Sequence, residues 1–184
     1  WKYPDERATG QVVAAQLAKA YGGIWKNDAW TKYVNLVGRS LAPLCERPNI
    51  KYRFAILNSN EVNAFSCPGG YIFITKGLLK RMKNEAQLAG VLAHEIAHTA
   101  KRHVEKAVRQ QQIAGLAMDA GLDIATTSDS VTADQAKFLK GLGNAGYDLL
   151  VKTGLSREDE FEADKLGTDN IQAMGYAPNG LVSL

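Results

Sequence analysis

Two histidines four residues apart enclose a glutamate in the run His94-Glu95-Ile96-Ala97-His98. On a helix this spacing sets both imidazoles on one face, one turn apart. Two ligands of one metal ion need that geometry. Imidazole nitrogen binds zinc at about 2.0–2.1 Å and leaves room for other ligands. Glu95 lies beside that face without having to bind the metal, so its carboxylate can take a proton from a water held there. The alternative is a pair of satisfied core histidines. The context favours the metal, because the motif falls inside a helix with a capped start and small apolar residues ahead of it.

A hydrolytic zinc needs a third protein ligand and an open position for water. The extended pattern H-E-x-x-H-x-x-G-x-x-H fails, since Lys101 and Val104 stand where its glycine and third histidine belong. His103 is expected to be a charge at a helix C-terminus or a surface residue, not a ligand. No spacing supports a cysteine, which leaves a carboxylate. Five acids crowd into Ser156-Arg157-Glu158-Asp159-Glu160-Phe161-Glu162-Ala163-Asp164. Acids favour helix N-termini, which accounts for Glu158 and Asp159. Glu160 and Asp164 share one helical face. Glu160 can bind the metal while Asp164 accepts the second N–H of a ligand histidine and fixes its tautomer. Spacing does not exclude Glu158 or Glu162. Ala163 and Gly167 are small and let this helix approach another closely.

These residues need elements to carry them. Ala8 to Tyr21 predicts a helix on Val13, Leu17 and Tyr21, ended by Gly22-Gly23. A second helix starts at Asn27 or Asp28 and carries the apolar stripe Trp30, Val34, Val37, Leu41 and Leu44, with Pro43 near its end. Lys51–Leu57 and Tyr71–Thr75 predict two strands in antiparallel pairing, one of them at a sheet edge. Pro68-Gly69-Gly70 marks a turn between them. A short helix covers Gly77–Lys83. Asn84 and Gln87 form a capping box for the motif helix, which is expected to run to about His103 and beyond. Residues 110–150 predict one or two weaker helices around a polar loop at 126–130. Ser156 caps the acidic helix and Gly175 ends it. The fold class is α+β, helix-rich with a small sheet and a central active-site helix.

The 184 residues suffice for one domain with a real core. Net charge is +3, with both signs mixed along the chain, so no basic block points to nucleic acid. No apolar run reaches the ~18 residues of a membrane span. Ile113–Ala125 comes nearest, broken by Asp119 and Asp123. Cys45 and Cys67 are either one disulfide or two small buried thiols. Trp1, Trp25 and Trp30 are expected to pack, not to form a ligand cage.

The segments GVLAHEIAHTAKRH and SREDEFEAD resemble the M48 family of zinc metallopeptidases, a gluzincin group. NAFSCPGGYIFITKGLL resembles the family's segment before the active helix, and GQVVAAQLAKAYG and YVNLVGRSLA its N-terminal helices. The resemblance spans nearly the whole chain and implies one zincin-like catalytic domain over residues 1–184. The family pattern S-R-x-x-E-x-x-A-D implies Glu160 as third ligand, with Asp164 and Arg157 supporting it. It also implies one Zn2+ per chain and Glu95 as the catalytic base. Asn63, Ala64, Gly69 and Gly70 are placed by it near a substrate-binding edge strand, which can add a peptide as an extra strand. Protein or peptide substrates follow, with extended or misfolded segments preferred. An exported or lipid-anchored bacterial type is implied, in the periplasm or cell envelope, working in protein quality control. That setting favours the Cys45–Cys67 disulfide.

Two departures stand out. Some relatives carry membrane-spanning helices between the two zinc segments, and residues 110–150 are too polar for that. Some also place a histidine or arginine near the substrate, downstream of the third ligand. No histidine follows Glu160 here, so the group that polarises the carbonyl, beyond zinc itself, is unassigned; Tyr147 and Tyr176 are candidates, each more often a packing residue. The main alternative is a weakly active chaperone or binding module for unfolded chains. A metallohydrolase of non-peptide substrates, and a latent peptidase whose cleft residues 110–150 cover, are further readings.

Overall fold

The computed structural model describes residues 3–118 and 133–178. The loop expected at 126–130, Trp1 and most of Ile113–Ala125 lie outside them. The described chain runs α1 (Tyr3–Ala20), α2 (Asp28–Leu41), β1 (Arg53–Leu57), β2 (Ala64–Cys67), β3 (Tyr71–Thr75), α3 (Lys76–Arg81), α4 (Glu85–Lys101), α5 (His103–Met118), α6 (Ala133–Asp148) and α7 (Arg157–Ala173). A single π-helical turn, Leu149–Thr153, follows α6. The α+β class holds. No helix of the described residues is long and apolar enough to cross a membrane.

The sheet corrects the expected pairing. Its order is β1-β3-β2, with β1 parallel to β3 and β2 antiparallel to β3. Residues 64–67 form a strand of their own, so the chain reverses twice between β1 and β3 and regains its direction. Gly69 and Gly70 make the second reversal at φ 73° and 90°, a region costly for other residues. β2 is left as an edge strand.

Side chains alternate across the sheet. Phe54, Ile56, Ile72 and Ile74 face α2 and α4, in a cluster with Val34, Val37, Leu41, Leu88, Leu92 and Ile96. Phe65, Cys67 and Phe73 face the other way, against Val13, Ala14 and Leu17 of α1. The ends of the predicted α2 stripe fall outside this core: Trp30, in the first turn, and Leu44, in a 3-10 turn beyond the end of α2, are exposed. Trp30 stacks edge-on against Tyr33. Cys45 and Cys67 are both free thiols. They lie in different clusters, and Cys45 Sγ sits 3.1 Å from the Tyr52 hydroxyl, so the disulfide is not formed. Burial, with Glu95 and Glu105 nearby, pushes the Cys67 thiol well up.

The motif helix also ends earlier than its pattern suggests. Asn84 caps α4 by accepting from Gln87 N at 3.0 Å, and Gln87 Oε1 accepts from Lys83 N. At the other end Arg102 adopts φ 58°, ψ 40° and α5 begins at once. A buried ion pair holds this corner. Arg47 donates to both carboxylate oxygens of fully buried Glu6, at 3.0 and 2.9 Å, and to Thr99 O at 3.2 Å. Gly69 N also donates to Glu6. Burial acts to raise the Glu6 pKa, but Arg47 outweighs it and the net shift is down.

Glu105 shares this pocket. Burial, then the charge of Glu6, pushes its carboxyl up to about 8. Below about 4.5 the folded and unfolded chains both hold that proton; between there and about 8 only the folded chain does. Stability therefore falls as pH rises through this window. Glu105→Gln is expected to flatten that fall, checked by urea midpoints of metal-free protein across the same range.

Candidate active site

α4 and α7 build the site by close backbone packing. Ala163 and Gly167, one turn apart on α7, are both buried. A Cβ on Gly167 would stand 3.0 Å from His94 N and 3.2 Å from His94 Cα. Any side chain there would press on the His94 backbone, which would have to give by a few tenths of an ångström. Gly167→Val is expected to cost about 1–3 kcal/mol through overpacking, read as a lowered thermal midpoint.

Ser156 caps α7 by accepting from Asp159 N at 3.1 Å, and its hydroxyl donates to Asp159 Oδ2 at 2.7 Å. This start aims Glu160 at α4. His94 Nε2 and His98 Nε2 are 2.9 Å apart. Glu160 Oε2 lies 3.4 Å from the first and 3.7 Å from the second. A tetrahedral metal with ligands at about 2.0–2.1 Å sets neighbouring donor atoms about 3.3 Å apart. The observed triangle fits that size, and two imidazoles with one carboxylate leave a fourth position for water. Among the described residues, these three form the group able to hold a metal ion. His98 is buried, His94 nearly so, and the Glu160 side chain is 47% exposed, so the site opens to solvent on the α7 side.

The charges are complementary. Hydrogen bonding to His94 and His98 holds the Glu160 carboxyl far below its usual range. Burial acts to lower the His94 pKa, but Glu160, Glu95 and Asp164 outweigh it and raise it. Asp164 Oδ1 sits 2.9 Å from His94 Nδ1, an ion-pair contact not aligned as a straight hydrogen bond.

A cavity of about 470 Å³ opens over these groups. One wall is the β2 edge with Asn63 and Ala64; the floor is His94, Glu95 and His98; Leu150, Gly154 and Leu155 close another side. Asn63 Oδ1 accepts from Ala64 N at 2.9 Å. Gly69 and Gly70 do not line this cavity. They are buried in the turn after β2, against Arg7 and Lys51. Arg157 opens α7 with its side chain exposed. Glu158 is exposed, and Glu162 turns to His103.

Neither tyrosine candidate reaches the cavity. Tyr147 packs among α1 and sheet residues, and Tyr176 donates to Glu85 Oε1 at the start of α4. His103 is a correction of the opposite kind. It is fully buried, not at the surface, because the turn at Arg102 folds it back beneath His98. Its Nδ1 lies 2.8 Å from His98 Nδ1. The helix-charge reading missed it; the signal was a third histidine one turn beyond the motif. The hydrophobic cavity residues Leu150 and Leu155 had no sequence signal, since they come from a π turn and the residues just after it, far along the chain.

The Peptidase family M48 model matches residues 28–184. The Escherichia coli (strain K12) Beta-barrel assembly-enhancing protease is 30% identical over 179 residues, covering 96% of this chain and 36% of the relative. The Schizosaccharomyces pombe Mitochondrial metalloendopeptidase OMA1 is 30% identical over 155 residues, covering 84% of this chain and 42% of that protein. Escherichia coli Metalloprotease LoiP is 27% identical over 163 residues, covering 85% and 58%. The chain thus spans about a third of the length of the first of these relatives. A metal-sized His-His-Glu triangle with a glutamate beside it, on a chain matched by that model over most of its length, leads to one conclusion: this chain belongs to peptidase family M48, the metallopeptidases.

Proposed function

We propose that residues 1–184 form a single catalytic domain that cleaves extended or misfolded protein segments as a zinc endopeptidase. The observation that carries this reading is the His94–His98–Glu160 triangle facing, across one cavity, a strand edge that no other described strand pairs with. His94, His98 and Glu160 would hold one zinc ion. When bound, it supplies Lewis acidity and lowers the pKa of a water towards ~7. Glu95, 8% exposed and lining the cavity, takes the proton from the attacking water and delivers it to the leaving amine. Asp164 orients His94. The β2 edge offers backbone N–H and C=O groups to a substrate lying extended along it, so folded substrates are excluded by shape. The bacterial relative named for enhancing β-barrel assembly supports a setting in the bacterial periplasm or envelope and a role in quality control, whereas the OMA1 relative is named as mitochondrial.

The test is digestion of unfolded casein and of a tightly folded protein by the purified chain. The reading expects cleavage of casein alone, lost on chelation and restored by zinc. A chain carrying one zinc that leaves casein intact would overturn it in favour of a binding module.

A further inference from the structure

His98 has two ring nitrogens with different neighbours. Nε2 faces His94 and Glu160, while Nδ1 meets His103 Nδ1 at 2.8 Å. His103 Nε2 in turn lies 3.0 Å from Glu162 Oε2 and 3.5 Å from Asp159 Oδ1. Lys101 holds Glu162 in place, its Nζ 3.1 Å from Oε1, and also pairs with Glu46 at 2.8 Å. Proton positions then follow by elimination. A metal at His98 Nε2 needs the lone pair there, so the single proton of neutral His98 sits on Nδ1. That N–H donates to His103, whose Nδ1 must be unprotonated. The His103 proton is therefore on Nε2, where it donates to Glu162. Each member fixes the tautomer of the next.

We propose that His103 is the positioning residue of His98: a fully buried neutral imidazole that accepts the His98 Nδ1–H, locks the ring with Nε2 towards the metal, and is itself anchored by Glu162. This rests on the reading of His94, His98 and Glu160 as ligands. The two ligand histidines thus have different supports. His94 has a carboxylate, Asp164, whose side chain is 54% exposed, and His98 a buried uncharged ring. An exposed carboxylate can be replaced by water, whereas a buried acceptor cannot. Loss of His103 therefore leaves the His98 N–H unpaired in the interior.

Two measurements test this. The chain has three histidines, so nitrogen NMR of the imidazoles in the zinc-loaded protein can be assigned ring by ring. The proposal expects His103 protonated on Nε2 alone; a proton on its Nδ1 overturns it. This measurement stands even where a variant fails to fold. The second is zinc affinity by competition with a chromophoric chelator, with folding of the metal-free variants checked by circular dichroism. His103→Phe, which keeps a ring but no acceptor, is expected to bind zinc about 10–100-fold more weakly. His103→Asn, whose Oδ1 stands near the lost Nδ1, is expected to recover most of that. A folded His103→Phe that binds as tightly as wild type, or a His103→Asn no better than His103→Phe, overturns the proposal. Failure of the metal reading looks different: wild type itself takes up no zinc.

Discussion

Replacing Glu95 by Gln is expected to leave one zinc per chain and lower casein cleavage roughly 10²–10⁴-fold, the range contributed by a positioned general base. Gln has the same shape and can still hydrogen-bond a water, but it cannot take the proton. Glu95 is nearly buried on α4, so an isosteric change leaves the packing of Leu92, Ile96 and the sheet undisturbed. The two readouts therefore separate. Metal content reports the triangle of His94, His98 and Glu160; the cleavage rate reports proton transfer. Zinc retained with activity near wild type would remove Glu95 from the mechanism. Zinc lost together with activity would move Glu95 into the ligand set.

Glu160→Ala is expected to weaken zinc binding by more than the roughly 10–100-fold typical of losing an outer-shell partner, measured by elemental analysis after dialysis and by chelator competition. Glu160 carries the negative charge of the donor set, and it is the α7 carboxylate within reach of both imidazoles, at 3.4 and 3.7 Å. Removing it leaves two neutral donors 2.9 Å apart with no charge to offset a divalent ion. His98→Ala belongs to the same experiment and is expected to do the same. Glu158→Ala is the control. That side chain is exposed on the same helix turn and away from the triangle, so zinc is expected to stay. Loss of zinc in Glu158→Ala but not in Glu160→Ala would reassign the third ligand.

Much of this site was legible in the sequence because it depends on local periodicity. Spacing of four on one helix puts His94 and His98 together whatever surrounds them. Capping chemistry set the starts of α4 and α7, where Asn84 and Ser156 accept from the third residue on. Small residues at 163 and 167 foretold the close α4–α7 approach. Periodicity does not decide direction or partner. Two runs of alternating side chains cannot tell whether they pair parallel or antiparallel, and the answer lay in Ala64–Cys67, four residues that read as a turn-bearing linker. Nor could spacing choose among Glu158, Glu160 and Glu162, which differ only by rotation about α7. The acid that meets two imidazoles is set by how that helix docks, and Gly167 against the His94 backbone governs the docking. Cys45 and Cys67 show the same limit, since pairing depends on which side of the sheet each residue packs. His103 is the clearest case. Helical continuation would have carried it round to the surface, but the Arg47–Glu6 pair grips Thr99 O beside a left-handed Arg102, and the chain turns. The sequence alone thus determined the chemistry carried by one helix. Tertiary packing decided which distant residues complete it, because those contacts are made by buried charge and backbone approach that no local pattern encodes.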